Sequence, residues 1–302
     1  MLEQFIDYYG KAKKMQEYKF QGINWTEKDI NDDLVWNVPI YDIVNRKYAA
    51  FSSLLEAIKD PKDPKGNNKY FRQVDDNVSD FDFIFLTYLF RLCGSGINYI
   101  PKQSSEDAPF KTHGFGNFWI VDELIQSKYT KEYWLTNLPE KGFCDVKGYL
   151  LPMIKGGLHN FIKTESVELV SKIVDYIKEN KKLGIKQVVD FGNNILLSKG
   201  LKRQNFVLTA FAMDLAEYFP ELVDRDSDVY VGSNAKKCLK LILPKMKQDD
   251  ALRYLCDVTG GYSKPYDMED VACDFIRYIE NFQSPDHIKL NNNKKYYNNV
   301  LK

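Results

Sequence analysis

The chain is short of the residue types that mark a metal centre, an extracellular frame or a membrane anchor. Its five cysteines (Cys93, Cys144, Cys238, Cys256 and Cys273) are odd in number, scattered, and never in a C-x-x-C pair. That excludes a zinc ribbon read from spacing and argues against a disulfide scaffold, so reduced thiols are expected. Only three histidines occur, and His159 and His287 have no partner at ligand spacing, so no structural metal site is expected. Net charge is also lacking, because 42 basic side chains balance 42 acidic ones. Any contact with nucleic acid must then rest on a local basic patch. No apolar run approaches the roughly 20 residues that span a bilayer. The opening MLEQFIDYYGKAKK has no continuous apolar core of the secretory type. These absences lead to the expectation of a soluble, intracellular protein (cytoplasmic, or in the host cytoplasm if viral) without a membrane partner. No G-x-x-x-x-G-K-[ST] loop is present, which excludes a Walker-type nucleotide site.

Aromatic residues are plentiful, with 20 Tyr and 19 Phe. Core filling accounts for most such side chains, and base stacking is the functional use open to the rest. Apolar residues recur at helical spacing along most of the chain. The first 20 residues carry Leu2, Phe5, Ile6 and Tyr9 on one face, and a second register runs from Ile40 to Ile58. DFDFIFLTYLFRL, from Asp80 to Leu92, is apolar almost all round and reads as a buried helix. Residues 117 to 126 read as a short helix. Thr164 to Lys181 reads as an amphipathic helix with Thr164 as N-cap. Further helices are expected at 205 to 219, from Gly232, over Asp249 to Val258, and over Met268 to Phe282. No set of alternating strands appears. The fold class is therefore mainly α, a single globular helical domain. A small N-terminal helical subdomain is expected over residues 1–65 with a soft boundary, a catalytic-type domain over 66–285, and a polar, disordered tail over 286–302.

Four constellations carry candidate chemistry. Asp214 and Glu217 stand three apart on one helix and so share a face. Asp214 has Phe211, Ala212, Met213 and Leu215 around it, and burial would raise its pKa. Such an acid serves as a general base or a magnesium ligand, whereas on an ordinary helix the pair would face solvent. The second is Gly232-Ser233-Asn234-Ala235-Lys236-Lys237. A serine N-cap, free amides and two lysines that oppose the helix dipole suit a bound phosphate, although a plain capped helix would read the same way. The third is Arg91 followed by Gly94-Ser95-Gly96-Ile97-Asn98-Tyr99, where flexible backbone donors could hold an anion or a base. Arg91 is also favoured at a helix C-terminus by the dipole alone. The fourth is His113-Gly114-Phe115-Gly116-Asn117-Phe118. Its G-x-G resembles the hairpin of helix-hairpin-helix DNA-binding modules, without their flanking Leu-Pro or trailing Ala.

Taken together, Arg91 with GSGINY, His113-Gly-Phe-Gly-Asn and FVLTAFAMDLAEYFPELVD followed by SDVYVGSNAKKCLKLI resemble one family. These are the amino acid:DNA transferases, or α-glutamyl/putrescinyl thymine pyrophosphorylases, related to the helical domain of the hydroxymethyluracil DNA kinases. The resemblance runs from about Asp80 to Glu280. It implies an all-α fold and a DNA substrate whose thymine methyl carbon has been oxidised and pyrophosphorylated. An amine, from an amino acid or a polyamine, would displace pyrophosphate there. On that reading Asp214, His113 and Glu217 are the catalytic candidates. Arg91, Ser95, Asn98, Asn117, Ser233, Asn234, Lys236 and Lys237 would bind phosphate or DNA. Tyr99, Phe115 and Tyr230 would receive a base taken out of the stack. No cofactor is required, and magnesium is the one optional ion. Kinase-type relatives carry Gly-Pro-Gly-x-Arg-Arg-Gly-Leu where this chain has Gly232-Ser233-Asn234-Ala235-Lys236-Lys237-Cys238-Leu239, so lysine replaces a bidentate arginine. Two alternatives stand beside the transferase. One is a helix-hairpin-helix glycosylase-like enzyme using Asp214 or Asp228 as its acid. The other is a non-enzymatic helical module that binds DNA or protein.

Overall fold

The computed structural model describes residues 1–20, 44–45, 80–93, 157–180 and 182–282. Helices dominate these residues and the only strands are two of two residues each, so the mainly α class holds. The expected boundaries near 65 and 285, the helix expected over 117–126 and the tail lie outside the described residues; of the helix expected over 40–58 only residues 44–45 are described, and these two are not helical. The chain divides into two compact units, Met1–Ser52 with Arg225–Lys302, and Ser53–Asp224 between them.

The middle unit contains α1 (Asp80–Cys93), α2 (Gly157–Lys163), α3 (Glu165–Asn180), β1 (Leu183–Gly184), α4 (Ile185–Ser198), α5 (Asn205–Tyr218) and β2 (Val223–Asp224). Every residue of α5 from Val207 to Tyr218 is buried, as its all-round apolar sequence requires. It stops before Pro220. α1 lies on it through edge-on aromatic pairs, Phe83 with Tyr218 at 5.4 Å and Tyr88 with Phe211 at 5.3 Å. α4 packs on α5 from another side, and Gly192 allows that approach. A Cβ at Gly192 would meet Leu208 Cδ1 at 3.0 Å and Ile173 Cδ1 at 3.1 Å. β1 pairs with β2 in parallel, Leu183 opposite Val223 and Gly184 opposite Asp224, with α4 and α5 forming the crossover.

The α4 helix ends in a Schellman turn. Leu201 N–H donates to Leu196 O at 2.9 Å and Gly200 N–H donates to Leu197 O at 2.9 Å. Gly200 has φ +71°, a conformation that favours glycine. A buried amide network then fixes the start of α5. Asn193 Oδ1 accepts from Gln204 N–H at 2.8 Å, Asn193 Nδ2 donates to Asn205 Oδ1 at 2.8 Å, and Tyr88 O–H donates to Gln204 Oε1 at 2.8 Å. Thr164 does not cap α3. Its hydroxyl donates back to Asn160 O at 2.8 Å, so it closes α2 instead of satisfying amides ahead of it.

The other unit contains α6 (Leu2–Phe20), α7 (Ser233–Ile242), α8 (Gln248–Val258) and α9 (Pro265–Phe282), with α9 at its centre. α7 buries Ala235, Cys238, Leu239 and Ile242, the i, i+3, i+4, i+7 face that its sequence dictates. α6 packs Phe5 and Tyr8 on Phe275 at 5.2 and 5.3 Å between ring centroids. Tyr9 Oη and Ser263 Oγ share a buried hydrogen bond of 2.8 Å, and Ser263 Oγ donates to Val44 O. The acidic segment after β2 is tied down by Arg253 Nη2 on Asp228 at 2.7 Å and Lys264 Nζ on Asp226 at 2.6 Å.

Candidate functional site

Asp214 is buried, as its apolar neighbours imply, with 0% of its side chain exposed. Glu217 is buried one turn further on, so the pair does not face solvent. The expectation of an acid isolated in an apolar pocket does not hold, however. Arg91, at the end of α1, donates from Nε to Asp214 Oδ2 at 2.6 Å and from Nη2 to Asp214 Oδ1 at 2.8 Å. This is a bidentate, charge-assisted pair in which both carboxylate oxygens accept. Two residues expected to act separately, one on a proton and one on a phosphate, therefore neutralise each other. The physical reason is desolvation. A lone charge in either helix costs several kcal/mol, and pairing recovers much of that.

The Gly232 turn also differs from expectation. Gly232, not Ser233, is the N-cap, in extended backbone, and no side chain of α7 caps the helix. The Gly232 N–H donates instead to Glu269 Oε1 at 2.8 Å, from a nearly buried carboxylate on α9. A protein carboxylate thus already engages one of the amide donors that a phosphate was expected to use. Ser233, Lys236 and Lys237 are exposed, Asn234 is half-buried, and Tyr230 is exposed just before the turn. Asp214 belongs to the unit Ser53–Asp224 and the Gly232 turn to the other unit.

His113, Ser95, Asn98, Tyr99, Phe115 and Asn117 lie outside the described residues. Asp228, the alternative acid, is paired with Arg253 in a partly exposed bridge. Cys238 and Cys256 are poor nucleophiles. Burial, with smaller contributions from Cys273 and Asp267 respectively, pushes each thiol up to about 12. Among the described residues no group of three or more His, Cys, Asp or Glu is disposed to hold a metal ion, and no helix is long and apolar enough to cross a membrane.

Sequence reading did not single out Glu269, Asn193 or Gln204. Glu269 carries no local signal, because its partner lies 37 residues away in sequence. The Arg91–Asp214 pair did leave a trace, the one cation of α1 and an acid at the centre of the largely apolar α5. Comparison with family models, with curated proteins and with solved structures finds no match.

Proposed function

We propose that the chain is a transferase acting on hypermodified thymine in DNA, in which an amine displaces pyrophosphate from a 5-pyrophosphomethyl-deoxyuridine base. The amine nitrogen attacks the methylene carbon as its C–O bond breaks. Pyrophosphate leaves with the bonding electrons, and the new C–N group gives up a proton to a base. The motifs that resemble the amino acid:DNA transferases motivate this reading. The observation that supports it most is the buried Arg91–Asp214 pair. It ties the last turn of α1 to the centre of α5, three residues before the Gly94-Ser95-Gly96-Ile97-Asn98-Tyr99 motif in sequence. Asp214 is then a positioning residue, and His113 and Glu217 are the candidates for taking the amine proton.

The test is incubation of pyrophosphomethylated duplex DNA with the protein and a panel of amino acids and polyamines. Nucleosides are then analysed by mass spectrometry, alongside an assay for released pyrophosphate. A new C–N-linked nucleoside formed in step with pyrophosphate is the expected result. Its absence across the whole panel refutes the transferase, and release of free base would point to glycosylase chemistry instead.

A second reading, a non-enzymatic helical binding module, is favoured by one observation. Both groups with chemical potential are engaged internally, Asp214 by Arg91 and the Gly232 amide by Glu269. DNA binding without any product would select it.

A further inference from the structure

Between Ser233 and Gln248 the sequence has five lysines (Lys236, Lys237, Lys240, Lys245 and Lys247) and no acid. In a chain whose opposite charges are equal in number, this is a marked local imbalance, since soluble surfaces usually intersperse both signs. All five lysines are exposed. No ion pair or side-chain hydrogen bond engages Lys236, Lys240, Lys245 or Lys247 among the described residues. Acidic residues resume only at Asp249, in the first turn of α8.

The geometry explains why the imbalance persists. α7 turns its apolar face onto α9, which leaves Lys236, Lys237 and Lys240 on the outside of the helix, and Lys245 and Lys247 are exposed in the turn that follows it in sequence. Glu269 already accepts from the Gly232 N–H at the helix N-terminus, so a carboxylate stands beside that end and attraction for a polyanion rests on this lateral surface. A membrane surface is a poorer fit. An interfacial helix needs its apolar face free, whereas that of α7 is already buried, and only Leu241 and Met246 (46% and 44% exposed) lie among the lysines.

We propose that the outer face of α7 and the turn after it form a track for nucleic-acid backbone phosphates, with Lys240, Lys245 and Lys247 extending the cationic surface of Lys236 and Lys237. The proposal rests on the reading of DNA as substrate. It assigns the backbone contact to lysines that the sequence motif does not include. Contacts of this kind position a duplex without reading its bases, so binding through this face is insensitive to sequence and sensitive to salt.

The experiment is fluorescence-anisotropy titration of the full chain with a labelled duplex at several salt concentrations from about 50 mM upward. The Lys240→Ala/Lys245→Ala/Lys247→Ala variant should bind more weakly on every sequence. Its slope of log affinity against log salt should be smaller by roughly 2 to 3, at about 0.9 per phosphate contact on B-form DNA. Lys245→Ala/Lys247→Ala, which leaves α7 untouched, should lower the slope by roughly 2. The corresponding arginine variants should retain it. Wild-type protein that binds DNA and forms product, with both alanine variants unchanged in slope, overturns this inference alone. Wild-type protein that does not bind DNA at low salt overturns it together with the DNA reading. Lysine-dependent binding to phosphatidylserine vesicles with an unchanged DNA slope overturns it in favour of a membrane surface.

Discussion

Replacing Asp214 with asparagine keeps the side chain's shape and removes its charge. The Arg91 guanidinium, whose side chain is only 10% exposed, would then be left without its bidentate counter-ion. Breaking a buried pair from one side typically costs about 3–5 kcal/mol. That is a large share of the roughly 5–15 kcal/mol that holds a domain folded. At about 2–4 °C per kcal/mol for a unit of this length, the unfolding midpoint should fall by roughly 6–20 °C. Removing both charges is a different perturbation. Arg91→Met with Asp214→Leu replaces the pair by apolar volume and should lie within about 2 kcal/mol of the parent or above it. Urea and thermal unfolding followed by circular dichroism, on Asp214→Asn and on Arg91→Met, Asp214→Leu and their double, completes the cycle. The reasoning fails if Asp214→Asn costs less than about 1 kcal/mol, or if the double variant is as unstable as the single. A stable Asp214→Asn protein that has lost turnover would return Asp214 to the role of proton acceptor.

Four further outcomes are expected. Lys172 and then Lys199 hydrogen-bond Glu168 and hold its carboxyl down at about 2. The stabilising contribution of this exposed cluster is therefore present above the ordinary glutamate range near 4.5 and is lost as pH falls towards 2. Carboxyl-carbon NMR should follow that titration, with the midpoint rising in Lys172→Ala. Gly10→Ala, where no atom lies within 4 Å of the added carbon, should stabilise α6 by roughly 0.5–1 kcal/mol. Gly192→Ala should gain the same helix propensity but lose about 1–3 kcal/mol to crowding against Leu208 and Ile173, a net loss measurable by urea unfolding. Glu269→Ala should free the Gly232 amide, speed its hydrogen exchange, and cost about 1–2 kcal/mol as a lost cap. If the vacated end then binds inorganic pyrophosphate, isothermal titration will show affinity that the wild type lacks.

Much of the fold was legible because helices carry their pattern locally. The Asp80–Leu92 and Asn205–Tyr218 segments, and the end before Pro220, follow from residue spacing and one imino acid. The helix from Ile185 to Ser198 was not anticipated. Its apolar run includes Gly192, Asn193 and Asn194, residues that weaken a local helix signal and make sense only once Leu208 and Gln204 pack beside them. The site was less legible for the same reason. Asp214 was recognisable as buried from its neighbours, but its neutralisation by Arg91 depends on a contact 123 residues away. The Gly232 turn read as a vacant anion seat because nothing near it in sequence announces Glu269.

The division of the chain also bears on its synthesis. α6 finds its aromatic partners on α9, and the Tyr9–Ser263 hydrogen bond spans 254 residues. At ribosomal rates of about 5–20 residues per second, α6 emerges roughly 10–50 s before the helix that covers it. The intervening unit can complete its own core during that interval. Throughout it, Phe5 and Tyr8 lack the Phe275 ring that they pack against in the folded unit. α6 is thus made well before the helix whose Phe275 covers it, and its aromatic face has to wait for α9.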